Sequence, residues 1–332
     1  MDYKDLVTLA IPSDGALFQP TQDFLKSCGL SVYRNNLRRY TAEIPTLPGI
    51  RVLFQRSADI TAKVEDGSAD MGIVGLDRYL ELSREGGTTN IVMDNLGFGQ
   101  CQLVIGLPDS WVDVTSLADL ADVSMEFRQG GGELKIVTKY PRLVERYLLR
   151  NGINFFSMVQ SSGTLEAAPA MGFADIIVDV SESGTTMREN RLKTIDGGSI
   201  LSSSACLIGN YESFGTNSIK LDSAKKLVDM VEAYLRSQNF YSVTANIRGE
   251  TPADIAKYVL DIPEITGLTG PTVSKVYSSD GESWFAVTVI VEKSILLDAV
   301  ARIRNVGGSS VTVSRPNYVF QSDCEAHKRL TA

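Results

Sequence analysis

A short polar segment after an apolar run carries the side chains of this sequence best suited to chemistry. The β-branched residues 176–178 predict a buried strand, and Asp179 marks its end. The segment that follows is rich in hydroxyl groups and contains one glycine, which allows successive backbone N–H groups to converge on an anion. We predict a phosphate monoester site there, made by Ser181, Glu182, Ser183, Gly184, Thr185 and Thr186.

Two carboxylates in this region need partners other than a phosphate. Asp179 and Glu182 would contact ribose hydroxyls, or a magnesium ion that is shared with a pyrophosphate. Phosphate, sugar and metal together indicate a phosphoribosyl group. A helix that starts near Met187 would direct its positive end at the same point. The alternative interpretation is that residues 183–186 form an ordinary turn after a strand.

Strands and helices alternate over the first two thirds of the chain, which predicts an α/β fold whose ligands bind at the carboxyl edge of a sheet. Two chain crossings, near 108–110 and before a strand at 204–208, predict the two-lobed plan of periplasmic binding proteins. The βαββαβ order of the last third predicts a ferredoxin-like α+β domain. The expected boundaries are lobe I at 1–107 plus 195–220, lobe II at 108–194, a linking helix at 221–238, the ferredoxin-like domain at 239–321 and a tail at 322–332.

A further candidate anion site follows the first strand, which we predict at residues 6–11. Ser13 and Gly15 lie in a glycine turn before a helix expected to begin at Gln19 or Pro20. This strand–turn–helix order is suited to anions.

Composition excludes several function classes for this chain of 332 residues. Its formal charge of −8 argues against nucleic acid or an anionic membrane surface as partner. No apolar run approaches the length of a membrane span, and the N-terminus lacks a signal-peptide pattern. The four cysteines show no paired spacing, which fits a reducing compartment, and Cys101 and Cys206 are expected to be small buried residues. The single histidine, His327, lies in the polar tail and is expected to be solvated, so a histidine base is improbable.

One long signature adds to these local arguments. Glu166, Gly172, Asp179, the pair Ser183-Gly184 and the pair Thr186-Met187 stand at the spacing of the ATP phosphoribosyltransferase signature. The chain resembles the long form of that family, the first enzyme of histidine biosynthesis, over nearly its whole length.

The resemblance implies transfer of a phosphoribosyl group from phosphoribosyl pyrophosphate (PRPP) to N1 of ATP, with Mg²⁺ and with release of pyrophosphate. It implies that Asp179 and Glu166 are catalytic residues, contacting ribose hydroxyls and orienting the sugar or ordering the loop. It places Arg56, Gly72 and Gly75 on the ATP and pyrophosphate side, together with Ser13 and Gly15. From the residues alone, Arg56 pairing with Asp59 on the surface is an equal alternative.

The resemblance also implies that the C-terminal domain binds histidine as a feedback inhibitor. Thr272, Ser309 and Ser310 match positions that the family uses in this domain. A dimerisation module is the competing interpretation. The long form usually assembles as a homo-oligomer, a dimer or a hexamer, and is cytoplasmic, or stromal if the chain is a mature plastid protein.

The sequence departs from the family pattern after its first strand. The family has basic residues of the type Lys-Gly-Arg there, whereas this chain has Asp14 and Ala16 around the glycine. Either a basic residue elsewhere replaces the lost charge, with Arg34, Arg38 and Arg39 as candidates, or substrate affinity is reduced. The departure leaves open a catalytically weakened regulatory relative. A two-lobed small-molecule binding protein and a phosphoribosyltransferase for another base are the remaining alternatives.

Overall fold

The structure is a computed structural model that describes residues 3–36, 38–159, 165–215, 217–261, 268, 270–278 and 281–331. The chain divides into two compact units. The first unit is Met1–Lys226 together with Glu325–Ala332, and the second is Leu227–Cys324. The division falls within one long helix.

Lobe I of the first unit is formed by short apolar strands that alternate with helices. Its strand Val7–Pro12 is buried along its whole length, as a central strand covered on both faces must be. The elements are β1 (Val7–Pro12), α1 (Phe18–Ser27), β2 (Thr41–Glu43), β3 (Ile50–Gln55), α2 (Ser57–Glu65), β4 (Met71–Gly75), α3 (Leu76–Leu82) and β5 (Thr89–Met93).

Lobe II has its own sheet and its own apolar core. The core lies where α4 and α5 pack against the strands, and it includes Leu120, Ile136 and Leu148. The elements are β6 (Cys101–Pro108), α4 (Leu117–Gln129), β7 (Leu134–Thr138), α5 (Pro141–Arg150), β8 (Phe156–Val159), β9 (Ile176–Ser181), α6 (Thr185–Glu189), β10 (Leu192–Lys193) and β11 (Ser199–Ser203). The strand order is β10-β6-β9-β7-β8, and β11 also pairs with β6.

The chain then returns to lobe I, as predicted. Strand β12 (Ala205–Asn210) inserts between β4 and β5 and gives the order β2-β3-β1-β4-β12-β5. Helices α7 (Tyr211–Gly215) and α8 (Ser218–Ser237) follow. The predicted two-lobed α/β architecture is confirmed.

The lobe boundaries differ from those expected from the sequence. Strand β6 pairs with β9 of lobe II, from Gln102 opposite Ser181 to Gly106 opposite Ile177, so the first crossing precedes residue 101 rather than falling at 108–110. Strand β11 pairs with β6 as well, so the return occurs at Ser204 and not near residue 195. An apolar strand has the same pattern in either sheet, and pairing alone decides its lobe.

The second unit has the predicted ferredoxin-like order. Its antiparallel sheet runs β14-β15-β13-β16, and apolar residues of the strands and both helices form one core. Its extent, Leu227–Cys324, takes in part of helix α8, which was expected to be a separate linker. The elements are β13 (Phe240–Arg248), α9 (Pro252–Leu260), β14 (Thr272–Val276), β15 (Trp284–Glu292), α10 (Leu296–Asn305) and β16 (Ser309–Ser314).

The C-terminal residues pack onto the first unit. Helix α11 (Glu325–Lys328) contacts β5, and Leu330 is fully buried. His327 is half-buried, with a ring nitrogen 3.2 Å from the Lys225 carbonyl oxygen, so the expectation of a solvated side chain is wrong. Within the described residues, no helix combines the length and apolar character needed to cross a membrane.

We expect Leu330→Ala to destabilise the first unit by about 2–3 kcal/mol, because the change leaves a cavity under the C-terminal segment. Urea unfolding followed by circular dichroism measures this as a lower midpoint. Thr331→Ala, at the exposed neighbouring position, is the matched control and should change the midpoint little. Equal midpoints for the two variants would show that the segment contributes no packing.

Candidate active site

The carboxyl ends of parallel strands from the two lobes face one cleft. Strands β1, β3 and β4 of lobe I are parallel, as are β7 and β9 of lobe II. The residues after these strands line a cleft of about 1080 Å³. An open α/β sheet binds ligands at this edge because the loops and free N–H groups collect there.

The predicted phosphate segment borders the cleft from Ser181 to Thr186. Strand β9 is longer than expected, since Asp179 and Ser181 belong to it, and helix α6 starts at Thr185 rather than Met187. The Ser181 hydroxyl accepts the Gly184 N–H at 2.9 Å and closes the turn. The loop's own hydrogen bond therefore holds the turn closed.

Gly184 is required by the shape of this turn. Its φ of 71° lies in the left-handed region, and an added Cβ would lie 3.0 Å from the Arg188 guanidinium. That guanidinium donates to the Ser183 carbonyl at 3.2 Å and to the Thr185 hydroxyl at 3.3 Å. The exposed Thr186 hydroxyl has no hydrogen-bond partner in the described part of the chain, and so it is available to a ligand.

The two predicted catalytic carboxylates are close enough to influence each other. Burial raises the pKa of Asp179, a nearby Lys139 ammonium opposes this, and the Glu166 carboxylate adds to it. Glu166 lines the cleft from a series of turns. Asp179 lies within β9, one residue before Val180, and is not itself among the described residues that line the cleft.

Only some of the lobe I residues predicted for the ATP and pyrophosphate side line the cleft. Gly15, Arg56 and Gly75 line the cleft. Gly72 does not, because it lies in the middle of β4 against α2, where an added Cβ would be 2.6 Å from Ile60. Ser13 is also outside the lining, and its N–H donates to the Gln55 carbonyl at 2.7 Å.

A buried hydrogen-bonded group that the sequence did not reveal joins the lobes at the cleft. The Asp77 carboxylate of α3 accepts the Tyr140 hydroxyl at 2.6 Å and the Ser203 hydroxyl at 2.7 Å. All three residues are buried. Gly75 is needed beside them, since an added Cβ would lie 2.5 Å from the Asp77 carboxylate.

The same helix makes a second attachment to lobe II. The Glu81 carboxylate accepts the N–H groups of Arg142 and Leu143 at 3.0 and 2.9 Å, at the first turn of α5. Free N–H groups at a helix start favour a negative charge, and here another lobe supplies it. The sequence signal was a pair of acids four residues apart, which places both on one helix face.

The cations of the cleft are not those expected to replace the family's basic pair. Asp14 and Ala16 line the cleft, as do Arg56, Arg78 and Lys139, whereas Arg34, Arg38 and Arg39 do not. The Arg78 guanidinium lies 4.3 Å above the Tyr140 ring and donates to the Lys139 carbonyl at 3.2 Å. These contacts bring one cation from each lobe together.

The structure also tests the expected burial of two cysteines and the alternative ion pair of Arg56. Cys101 is half-buried at the cleft rather than in the core, and burial raises the pKa of its thiol to about 11, which keeps it protonated at neutral pH. Cys206 is buried, as expected. Arg56 has no ion pair with Asp59 among the described residues, and the cleft position is the one observed.

The residues expected to bind histidine do not meet within one chain. Thr272 begins β14 and Ser309 begins β16, and these are the two edge strands of the sheet. Three strand spacings separate the edges, roughly 14 Å. Ser310 has a φ of 52°, unusual for a residue with a side chain, and adjoins the register shift between β13 and β16.

Comparison with known proteins agrees with this architecture. The model of the ATP phosphoribosyltransferase (HisG) family matches residues 56–237, and that of the HisG C-terminal domain matches residues 237–315. ATP phosphoribosyltransferase 1, chloroplastic, of Arabidopsis thaliana is 36% identical over 96% of this chain and 79% of its own length. The ATP phosphoribosyltransferase of Caulobacter vibrioides is 31% identical over 94% of this chain and 93% of its own.

A solved structure shares the fold of most of the chain. It is the ATP phosphoribosyl transferase (HisG:HisZ) complex from Thermotoga maritima, with a TM-score of 0.52 and 24% identity, over 68% of this chain and 98% of that one. Fold and site together define a two-lobed α/β protein with a ligand cleft between its sheets and a ferredoxin-like C-terminal domain. The chain belongs to the ATP phosphoribosyltransferase family.

We expect Asp179→Asn to raise the urea midpoint at pH 7, because the folded state has to hold a carboxylate that burial disfavours. A raised folded-state pKa means that the native protein gains stability as the pH falls through that pKa. The advantage of the variant should therefore be full at neutral pH and shrink toward pH 4. Asp113→Asn, at an exposed position outside the cleft, is the control. A difference that does not change with pH would contradict the assignment.

Proposed function

We propose that the cleft transfers the phosphoribosyl group of PRPP to N1 of ATP, which gives phosphoribosyl-ATP and pyrophosphate, the first step of histidine biosynthesis. The carrying observation is the hydrogen-bonded loop from Ser181 to Thr186 at the carboxyl edge of β9, in a chain of this family. The loop faces Arg56 and Gly15 across the cleft, so both substrates have a wall to bind.

The loop holds the 5′-phosphate of PRPP in this proposal. Its backbone N–H groups and the free Thr186 hydroxyl donate to phosphate oxygens, and hydrogen bonds to a charged acceptor are the stronger kind. Arg188 fixes the loop from behind through the Ser183 carbonyl and the Thr185 hydroxyl. The 5′-phosphate therefore anchors the sugar at the lobe II side.

The reaction needs placement and charge more than covalent help. Adenine N1 donates its electron pair to the anomeric carbon, while the bond to the pyrophosphate oxygen breaks and its electrons leave with pyrophosphate. Positive charge builds on the ribose in the transition state. Asp179 accepts hydrogen bonds from ribose hydroxyls, and its carboxylate favours that positive charge. Glu166 orients the same sugar, and Arg56 binds the leaving pyrophosphate.

Magnesium enters this scheme as part of the substrate. Asp14, Asp77, Glu166 and Glu182 line the cleft against Arg56, Arg78 and Lys139, so the described lining carries more acids than bases. PRPP and ATP are polyanions, and Mg²⁺ bound to their phosphates reduces the charge that enters. Carboxylate oxygens such as those of Glu182 suit the exposed side of such an ion.

The family match favours none of the alternative functions, neither a weakened regulatory relative nor a two-lobed binding protein nor a transferase for another base. In this proposal Arg78 and Lys139 supply the positive charge that the pattern around Gly15 lacks. We further propose a plastid stroma or cytoplasm as the compartment, since two relatives of 36% identity are named chloroplastic.

We expect Thr186→Ala to lower kcat/KM for PRPP about 10–100-fold, the loss of one hydrogen bond to a charged phosphate. Formation of phosphoribosyl-ATP from ATP and PRPP with Mg²⁺ measures this. Thr186→Ser keeps the hydroxyl and should retain most of the activity. An unchanged rate in the alanine variant would remove the loop from the phosphate site, whereas no turnover by the folded wild-type protein would overturn the proposed reaction.

We also propose that the C-terminal domain binds histidine as a feedback inhibitor, at Thr272, Ser309 and Ser310. The left-handed backbone of Ser310 supports this, because strained residues persist where a site requires them. Since Thr272 and Ser309 begin opposite edge strands, one binding site that uses both needs edges from two chains. The proposal therefore includes a homo-oligomer, a dimer or a hexamer.

We expect millimolar L-histidine to suppress turnover of the wild-type protein and to suppress Thr272→Val or Ser309→Ala at least tenfold less effectively. Each variant is compared with itself, with and without histidine, so that differences in basal rate cancel. Ser314→Ala, at the far end of β16, is the control. Equal suppression of all variants would place the inhibitor elsewhere.

A further inference from the structure

A second pocket of the first unit lies away from the cleft, where α3 and α5 meet. Its volume is about 510 Å³. Lobe I contributes Leu80 and Arg84, and lobe II contributes residues of α5 and of β11. We call it the arginine pocket, because Arg84, Arg142, Arg146 and Arg150 line it.

The arginine pocket has a charge opposite to that of the whole protein. Among the described residues that line it, four arginines face one acid, Glu85, a formal charge of +3. The formal charge of the chain is −8. Concentrated positive charge in a concave site attracts anions even when the net charge of the protein is negative.

No ion pair among the described residues involves these arginines. Arg142 donates to the carbonyl oxygens of Ser83 and Leu80, which fixes its guanidinium without removing its charge. Arg84, Arg146 and Arg150 are exposed and have no acidic partner within ion-pair distance in the described part of the chain. Arg142, Arg146 and Arg150 stand four residues apart on one helix face, where like charges destabilise the helix.

The chemistry of the lining fits an anion with several charges. Guanidinium groups bind phosphate oxygens with two parallel hydrogen bonds, and several of them can share a chain of phosphates. Leu143, Ile200 and Leu201 add an apolar side, and Tyr147 an aromatic ring. We propose that the arginine pocket is a second anion site, which binds a polyphosphate chain, free or as part of a nucleotide.

The position of the pocket connects it to the cleft. Helix α3 contributes Asp77 and Arg78 to the cleft and Leu80 to the arginine pocket, and Tyr140, which lines the cleft, directly precedes α5. An anion that binds groups of both lobes therefore stabilises one spacing of α3 and α5. The same spacing sets the separation of Arg78 and Lys139.

Isothermal titration of the full chain with inorganic tripolyphosphate tests the assignment. We expect a binding event that Arg146→Ala/Arg150→Ala weakens at least tenfold. Lys26→Ala/Lys135→Ala removes the same charge from exposed positions elsewhere and should leave it intact. Arg56→Ala, which alters the cleft, should also retain this event. A parallel titration with ADP shows whether a base and ribose tighten binding, which identifies the nucleotide form.

Three results would overturn the proposal. One is equal binding by the wild-type protein and Arg146→Ala/Arg150→Ala. Another is equal weakening in Lys26→Ala/Lys135→Ala, which would indicate a general charge effect. The third is a change of oligomeric state in Arg146→Ala/Arg150→Ala, measured by sedimentation, with tripolyphosphate binding unchanged, which would assign the arginines to a contact between copies. None of these readouts depends on turnover, so the test is independent of the proposed reaction.

Discussion

The buried carboxylate of Asp77 is the constraint on which the cleft depends. A carboxylate removed from water needs hydrogen bonds, and those of Asp77 come from Ser203 and Tyr140 of lobe II. Glu81, one turn later, is satisfied by the start of α5 in the same way. Separation of the lobes would leave both charges short of donors inside the protein. The hydrogen bonds that these two carboxylates of helix α3 require thus keep the walls of the cleft at a defined distance.

The positive charge of the cleft also depends on the contact between the lobes. The family's basic pair around Gly15 is absent, and Asp14 adds a negative charge to the side where phosphates are expected. Arg78 and Lys139 lie together because the first rests on the Tyr140 ring and bonds the carbonyl of the second. The positive side of the site is therefore built from the junction of the lobes, and its strength depends on how the lobes are placed.

Local features could be predicted from the sequence, and long-range pairing could not. The apolar runs of β1, β9 and β12 identified strands within a few residues, because burial shapes the pattern whatever the neighbours are. For the same reason the apolar pattern of β6 could not show which lobe it belongs to, since that depends on its pairing with β9. The loop from Ser181 to Thr186 was found because its turn chemistry is local. Asp77 and Tyr140 were missed because 63 residues separate them.

The connectivity of the lobes has a consequence for the order in which they can form. Lobe II is continuous in sequence from β6 to β11, so a growing chain contains its complete sheet once residue 203 has left the ribosome. Lobe I starts first and finishes later, since β12 must still insert between β4 and β5. Until then the partner edges of β4 and β5 remain open, and an unpaired strand edge invites association with other chains. During synthesis there is thus an interval in which lobe I, although it is made first, still lacks strand β12.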